Sequence, residues 1–133
     1  MSRKRKKLPI SNYNDFALYK MKPTTSKLEK KFEKEVMKKL GFDYEKQFKV
    51  KGKSYDFAYP QYKILIEVDG DYWHGKNGRI LSSMQKKNRH NDKEKDGLAL
   101  DNKFKLIRFR EKDIHERISK IRLRLTSLIM SRK

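Results

Sequence analysis

Residues 67–75, "EVDGDYWHG", gather three acids, the only Trp of the chain and one of its three His. The rest of the 133-residue chain is basic, with 36 Lys and Arg against 17 Asp and Glu. The apolar run before this stretch makes "KILIEVD" a predicted strand. Side chains alternate along a strand. Ile64, Ile66 and Val68 therefore point one way, and Leu65, Glu67 and Asp69 the other. Two neighbouring carboxylates on one face repel each other unless a cation neutralises them. Lys or Arg can do so. Mg²⁺ can also do so, as a hard cation that binds one or two carboxylates together with phosphate oxygens.

Asp56 extends the pattern. It lies in "SYDFAYP", and an antiparallel return at Pro60 would carry it back to the neighbourhood of Val68. An Asp on one strand and an acid-rich end on the next can hold a metal against a phosphate. The competing explanation is a set of acids paired to surface Lys. In the loop after Gly70, His74 could take a proton from an attacking water, or be an ordinary surface imidazole. Tyr72 and Trp73 could stack on bases or wedge between them, and Trp73 could equally be a core or rim aromatic.

These residues need elements to hold them. "TTSKLEKKFEKEVMKKLGF" predicts a helix over residues 26–40, capped by Thr25 or Ser26 and ended by Gly41. Its apolar stripe is Leu28, Phe32, Val36 and Leu40. Glu29 falls inside the stripe and Glu33 at its edge. Glu29 also fits a capping box with Ser26. "YEKQFKV", "SYDFAY" and "KILIEVD" are three strands, joined by a tight turn at "KGK" and a break at Pro60 and Gln61. Residues 82–100 form a polar helix weakened by Gly97. On it Asn88, Asp92 and Lys95 share a face, while His90 points away from Asp92. "KFKLIRF" is a fourth strand, and its place after a helix permits a mixed sheet. A last helix from about Asp113 carries Ile114, Ile118, Ile121, Leu125 and Leu128 toward the sheet, with a dimer contact as the lesser alternative. The expected architecture is a single α/β domain over residues 25–133, a small sheet covered by helices. Residues 1–24 form a basic arm, either a solvated tail or a grip on DNA.

The formal net charge of +19 points to a polyanionic partner, with nucleic acid favoured over membrane. Mean hydropathy is −1.05, and no run approaches the roughly 20 apolar residues of a membrane span. The basic N-terminus lacks the apolar core of a secretory signal. The absence of Cys excludes disulfides and thiolate zinc sites. The expected setting is the cytoplasm of a prokaryotic or phage-infected cell.

Taken together, "DFAYPQYKILIEVDGDYWHG", the helix opening "TSKLE", the "NRHND" helix and "FKLIRFREKDI" resemble the very-short-patch-repair endonucleases. They also resemble the related phage homing endonucleases with the EDxHD motif. Both groups share the restriction-endonuclease-like PD-(D/E)XK fold. The likeness runs from about Thr25 to Asp113. It implies a catalytic set of Glu29, Asp56, His74 and Asp92, with Val68 at the variable position. It further implies Mg²⁺ held by Asp56 and the backbone carbonyl of Val68, with Glu67 and Asp69 as further candidate ligands. His74 would be the general base or position the water, supported by Asp92 and Glu29. Tyr72 and Trp73 would enter the base stack. Lys76, Arg79, Lys86, Lys87, Arg89 and Lys95 are expected on the DNA, fixing position rather than sequence.

The patch-repair enzymes hold a structural zinc through Cys and His, so none is expected here. They also tend to carry His where this chain has Asp69. The expectation is therefore a Mg²⁺-dependent endonuclease acting on double-stranded DNA, of homing or phage type and specific for a site. A mismatch-nicking repair enzyme is the first alternative. A nucleic-acid-binding protein on a dead nuclease fold is the second. The oligomeric state is left open.

Overall fold

A computed structural model describes residues 23–70 and 83–133. Helix α1 opens at Pro23, runs α-helically over Pro23–Phe32, widens to a π-helix over Glu33–Met37 and ends at Lys38–Leu40. Its start lies upstream of the expected one at Ser26. Pro is favoured at a first helical position because its missing N–H has no partner to lose there. The π turn accommodates two adjacent apolar residues, Val36 and Met37, both fully buried. Gly41 ends the helix in left-handed backbone (φ 76°), which costs Gly little.

Strands β1 (Glu45–Val50) and β2 (Lys53–Tyr59) form a hairpin. Its two turn residues, Lys51 (φ 50°) and Gly52 (φ 87°), both take positive φ, which matches the right-handed twist of the strands. A 3₁₀ turn at Pro60–Tyr62 leads into β3 (Ile64–Asp69), antiparallel to β2. Helix α2 (Ser83–Asp101) crosses over, and β4 (Lys105–Arg110) returns parallel to β3. The sheet is mixed, in the order β1-β2-β3-β4. The expected single last helix is instead two, α3 (Glu111–Glu116) and α4 (Ile118–Ser131), broken at Arg117. The break lets Ile114 and the row Ile121, Leu125 and Ile129 all reach one core.

That core fills one face of the sheet, where α1, α3 and α4 bring Phe32, Val36, Ile114 and Leu125 onto Phe57, Tyr59, Ile64, Ile66, Ile107 and Phe109. Phe32 lies 5.5 Å, centroid to centroid, from both Phe57 and Phe109. The opposite face holds a smaller cluster of Val50, Tyr55, Ala58, Leu65 and Ala99 beneath α2. β3 is buried on both faces, which its near-continuous apolar sequence requires. Its one buried charge is Glu67. No helix among the described residues is long and apolar enough to cross a membrane.

Candidate active site

The β2–β3 ladder stops at Phe57↔Ile66. One step further the same register sets Asp56 opposite Glu67, and there carboxylates replace the ladder carbonyls. The Asp56 N–H donates to Glu67 Oε2 (2.9 Å), and the Val68 N–H donates to Asp56 Oδ2 (2.8 Å). The expected convergence of Asp56 on Val68 is thus present as a direct bond, and that bond fixes the direction of the Asp56 carboxylate.

Glu67 is 3% exposed, and both its oxygens are engaged. The second, Oε1, takes a charge-assisted hydrogen bond from Lys95 Nζ at 2.8 Å. Lys95 was expected on DNA; here it is buried under α2, with its backbone carbonyl accepting from Tyr55 Oη at 2.8 Å. Burial, and then the charge of Glu67, raise the Tyr55 pKa.

Arg108 completes the cluster. It pairs with Glu67 in the parallel β3–β4 register. Its Nη2 donates to Asp96 Oδ1 (2.8 Å) and to the Asp92 carbonyl (3.1 Å). Its Nη1 lies 3.2 Å from Asp92 Oδ1 and 4.0 Å from both Glu67 Oε1 and Asp69 Oδ2. That 3.2 Å approach is an ion pair without hydrogen-bond alignment, since Nη1 is buried with no hydrogen-bond partner. Burial opposes the charge of Arg108. The Asp96 bond and the charges of Asp92 and Asp69 outweigh it, and the guanidinium pKa stands above its ordinary value. Arg108 therefore ties α2, through Asp92, to the strand that carries Glu67 and Asp69.

Glu29 and Glu33 both turn toward β1. Glu33 accepts from Tyr44 Oη (2.5 Å) and pairs with Lys46 (3.1 Å). Glu29 meets Gln47, whose Nε2 donates to Glu29 Oε1 at 3.4 Å. Of the other expected site residues, Lys86, Lys87 and Arg89 are exposed along α2. His90 points to solvent near Glu94 (3.8 Å), away from Asp92 as expected. Tyr72, Trp73, His74, Lys76 and Arg79 lie outside the described residues.

Asp56, Val68 and Asp69 offer hard oxygen donors of the type that suits Mg²⁺ rather than a softer metal. Among the described residues no group of three His, Cys, Asp or Glu side chains is assembled to hold a metal. Of the cluster, Arg108 is missing from the functional set drawn from the sequence, and Lys95 was in it with another role, on the DNA rather than on Glu67. The signal for Arg108 was a cation set between the apolar Ile107 and Phe109 of "KLIRF", beside a strand with two acids on one face. Lys95 was placed on the same helical face as Asp92 and then assigned outward.

No solved structure matches the chain. The Type II nicking enzyme V.HpaIIP of Haemophilus parainfluenzae is 30% identical over 104 residues, which span 70% of this chain and 74% of that protein. The family model of the DNA mismatch endonuclease Vsr matches residues 12–80, which include α1, the hairpin and β3. With more than half of its length under that match, Asp56 and Val68 included, the chain belongs to the Vsr family and is a DNA endonuclease.

Proposed function

We propose that this endonuclease depends on Mg²⁺ and nicks one strand of double-stranded DNA beside a mispaired base. The observation that carries the chemical part is the Asp56–Val68 bond, which aims an acidic side chain at the end of β3. The family match and the nicking relative support the choice of target.

Asp56 and the Val68 carbonyl would hold the cation, with Asp69 beside them. Glu67 takes a structural part, since Lys95 and the Asp56 N–H already engage its oxygens. When bound, Mg²⁺ supplies positive charge to a scissile phosphate and acidifies water. His74 takes the proton of the attacking water, and Asp92, anchored by Arg108, holds His74 in orientation. Glu29 supports the Asp56 side of the site. Tyr72 and Trp73 enter the base stack, where a mispair is the cheapest step to open. Lys76, Arg79 and the exposed cations of α2 hold the backbone in place.

Asp69 favours a second reading, cleavage at a fixed sequence as in the homing enzymes, because the patch-repair pattern carries His there. Matched and mispaired duplexes, and supercoiled plasmid, should be incubated with wild type and Asp56→Ala in Mg²⁺ or EDTA. Nicking of the mispaired duplex by wild type in Mg²⁺ alone is the expected outcome. Cutting of matched DNA at one sequence would move the assignment to the second reading. Binding without cleavage on any substrate, unchanged in Asp56→Ala, would leave only a nucleic-acid-binding role.

A further inference from the structure

Four residues other than Gly have positive φ among those described: Gln47, Lys51, Lys63 and Lys103. Three of them occupy turns: Lys51 in the hairpin, Lys63 after the 3₁₀ turn and Lys103 after α2. Gln47 (φ 49°) alone stands inside a strand. Left-handed backbone strains a residue with a Cβ. Gln is not among the residues enriched there, as Asn and Asp are.

The geometry has a consequence for both strands of the hairpin. Tyr44 packs on the α1 side and Lys46 pairs with Glu33 of α1, whereas Phe48 and Val50 pack beneath α2. A regular strand would keep residues 44, 46, 48 and 50 on one face. On β2 the matching change falls between Tyr55, under α2, and Phe57, against α1. The register runs Lys46↔Phe57 and then Phe48↔Tyr55, which sets Gln47 across from Asp56. Both strands therefore exchange faces at the pair that contains the candidate metal ligand.

The side chain of Gln47 is spent at the same place. Its Oε1 accepts from Ser54 Oγ (2.9 Å), and its Nε2 donates to Glu29 Oε1 (3.4 Å). A carboxylate only accepts, so the amide must turn its NH₂ toward Glu29 and its oxygen toward the hydroxyl. Gln47 thus connects α1, through Glu29, to the hairpin at Asp56.

We propose that Gln47 is a positioning residue of the nuclease site, held in left-handed backbone so that its carboxamide sets Glu29 beside Asp56. The assignment rests on the proposed nuclease chemistry and deepens it. Strain that persists inside an ordered strand is retained where function needs it. Removing it should separate stability from activity.

Gln47→Gly removes the side chain and relaxes the backbone; Gln47→Asn keeps a residue tolerant of left-handed backbone but shortens the reach. Both are to be assayed for DNA nicking and thermal unfolding beside wild type, Asp56→Asn and Glu29→Gln. For Gln47→Gly the expected result is an unfolding midpoint at or above wild type. Its kcat should fall at least about ten-fold, with KM for DNA nearly unchanged. Gln47→Asn should lose activity similarly. Adding Gln47→Gly to Glu29→Gln should cost little more than Glu29→Gln alone, since both act by one route. Wild-type kcat in Gln47→Asn, or losses that add in full to those of Glu29→Gln, would overturn the role. If Gln47→Gly does not fold, strain at this residue is refuted and Gln47→Asn decides the contact. If wild type and Asp56→Asn nick alike, the nuclease site itself is misplaced and Gln47 falls with it.

Discussion

Lys95 Nζ lies 2.8 Å from Glu67 Oε1, and the two side chains are 10% and 4% exposed. A basic protein here spends a cation inside its own fold to neutralise an acid. Removing one partner of such a pair leaves a buried charge uncompensated, at a cost of about 3–5 kcal/mol. Lys95→Met should therefore lower stability by about 3 kcal/mol in urea unfolding. Arg108 Nη1, 4.0 Å from the same oxygen, keeps the loss toward the low end of that range. Glu67→Gln/Lys95→Met should recover most of it, because the Gln oxygen can still accept from the Asp56 N–H. A Lys95→Met protein as stable as wild type would show that Arg108 alone balances Glu67.

Arg108 carries a separate prediction. It grips Asp92 at both carboxylate and carbonyl, and a Lys at its place has no planar fork to do both. Arg108→Lys should keep the positive charge and the fold but loosen Asp92. Nicking should fall about ten-fold or more in kcat, as it does when groups that orient a site are lost. Affinity for DNA in EDTA should stay close to wild type. A drop in affinity with kcat unchanged would place Arg108 on the DNA instead.

The meeting of Asp56 with Val68 was legible in the sequence for a local reason. The turn at Pro60 and Gln61 fixes an antiparallel return, and strand period does the rest. The same period separated Glu67 and Asp69 from the apolar face of β3. The partners of those acids were not legible in that way. Arg108 and Lys95 reach them only because α2 crosses over and β4 pairs parallel to β3, a long-range arrangement that no short window contains. Gln47 was hidden for a different reason. Its neighbours have ordinary strand propensity, and nothing in "EKQFKV" announces left-handed backbone. The break at Arg117 was likewise invisible, since the apolar spacing runs on through it.

The Tyr44–Glu33 contact should appear in the pH dependence of stability. The bond from Tyr44, with Lys46 adding to it, holds the Glu33 carboxyl below the ordinary carboxylate range. Burial, and then the same bond, push Tyr44 up to about 12. A lowered carboxylate pKa gives stability that is present above the unfolded value and lost as pH falls through the folded one. A raised phenol pKa gives stability that is present below the unfolded value, about 10, and lost as pH climbs toward the folded one. The advantage of wild type over Tyr44→Phe should hold at neutral pH and fade between about pH 10 and 12. Glu33→Gln should flatten the acid limb below the unfolded carboxylate value. Unfolding midpoints measured across pH check both limbs. Parallel curves for wild type and Tyr44→Phe up to the alkaline end would contradict the assignment.

The two kinds of Lys on α2 should separate by salt. Lys86, Lys87 and Arg89 are exposed, whereas Lys95 is buried on Glu67. A cation that neutralises a phosphate releases a counterion, so each one lost should reduce the slope of log affinity against log salt by up to about 1. Lys86→Ala, Lys87→Ala and Arg89→Ala should each show that change, uniformly across DNA sequences, in anisotropy titrations run in EDTA. Lys95→Met should leave the slope untouched while lowering stability, because its charge is already spent inside the protein. A slope change in Lys95→Met equal to that of Lys86→Ala would mean that DNA draws Lys95 away from Glu67. Binding and the Asp56–Glu67 bond would then be coupled, and the buried pair would be part of the switch between free and DNA-bound enzyme.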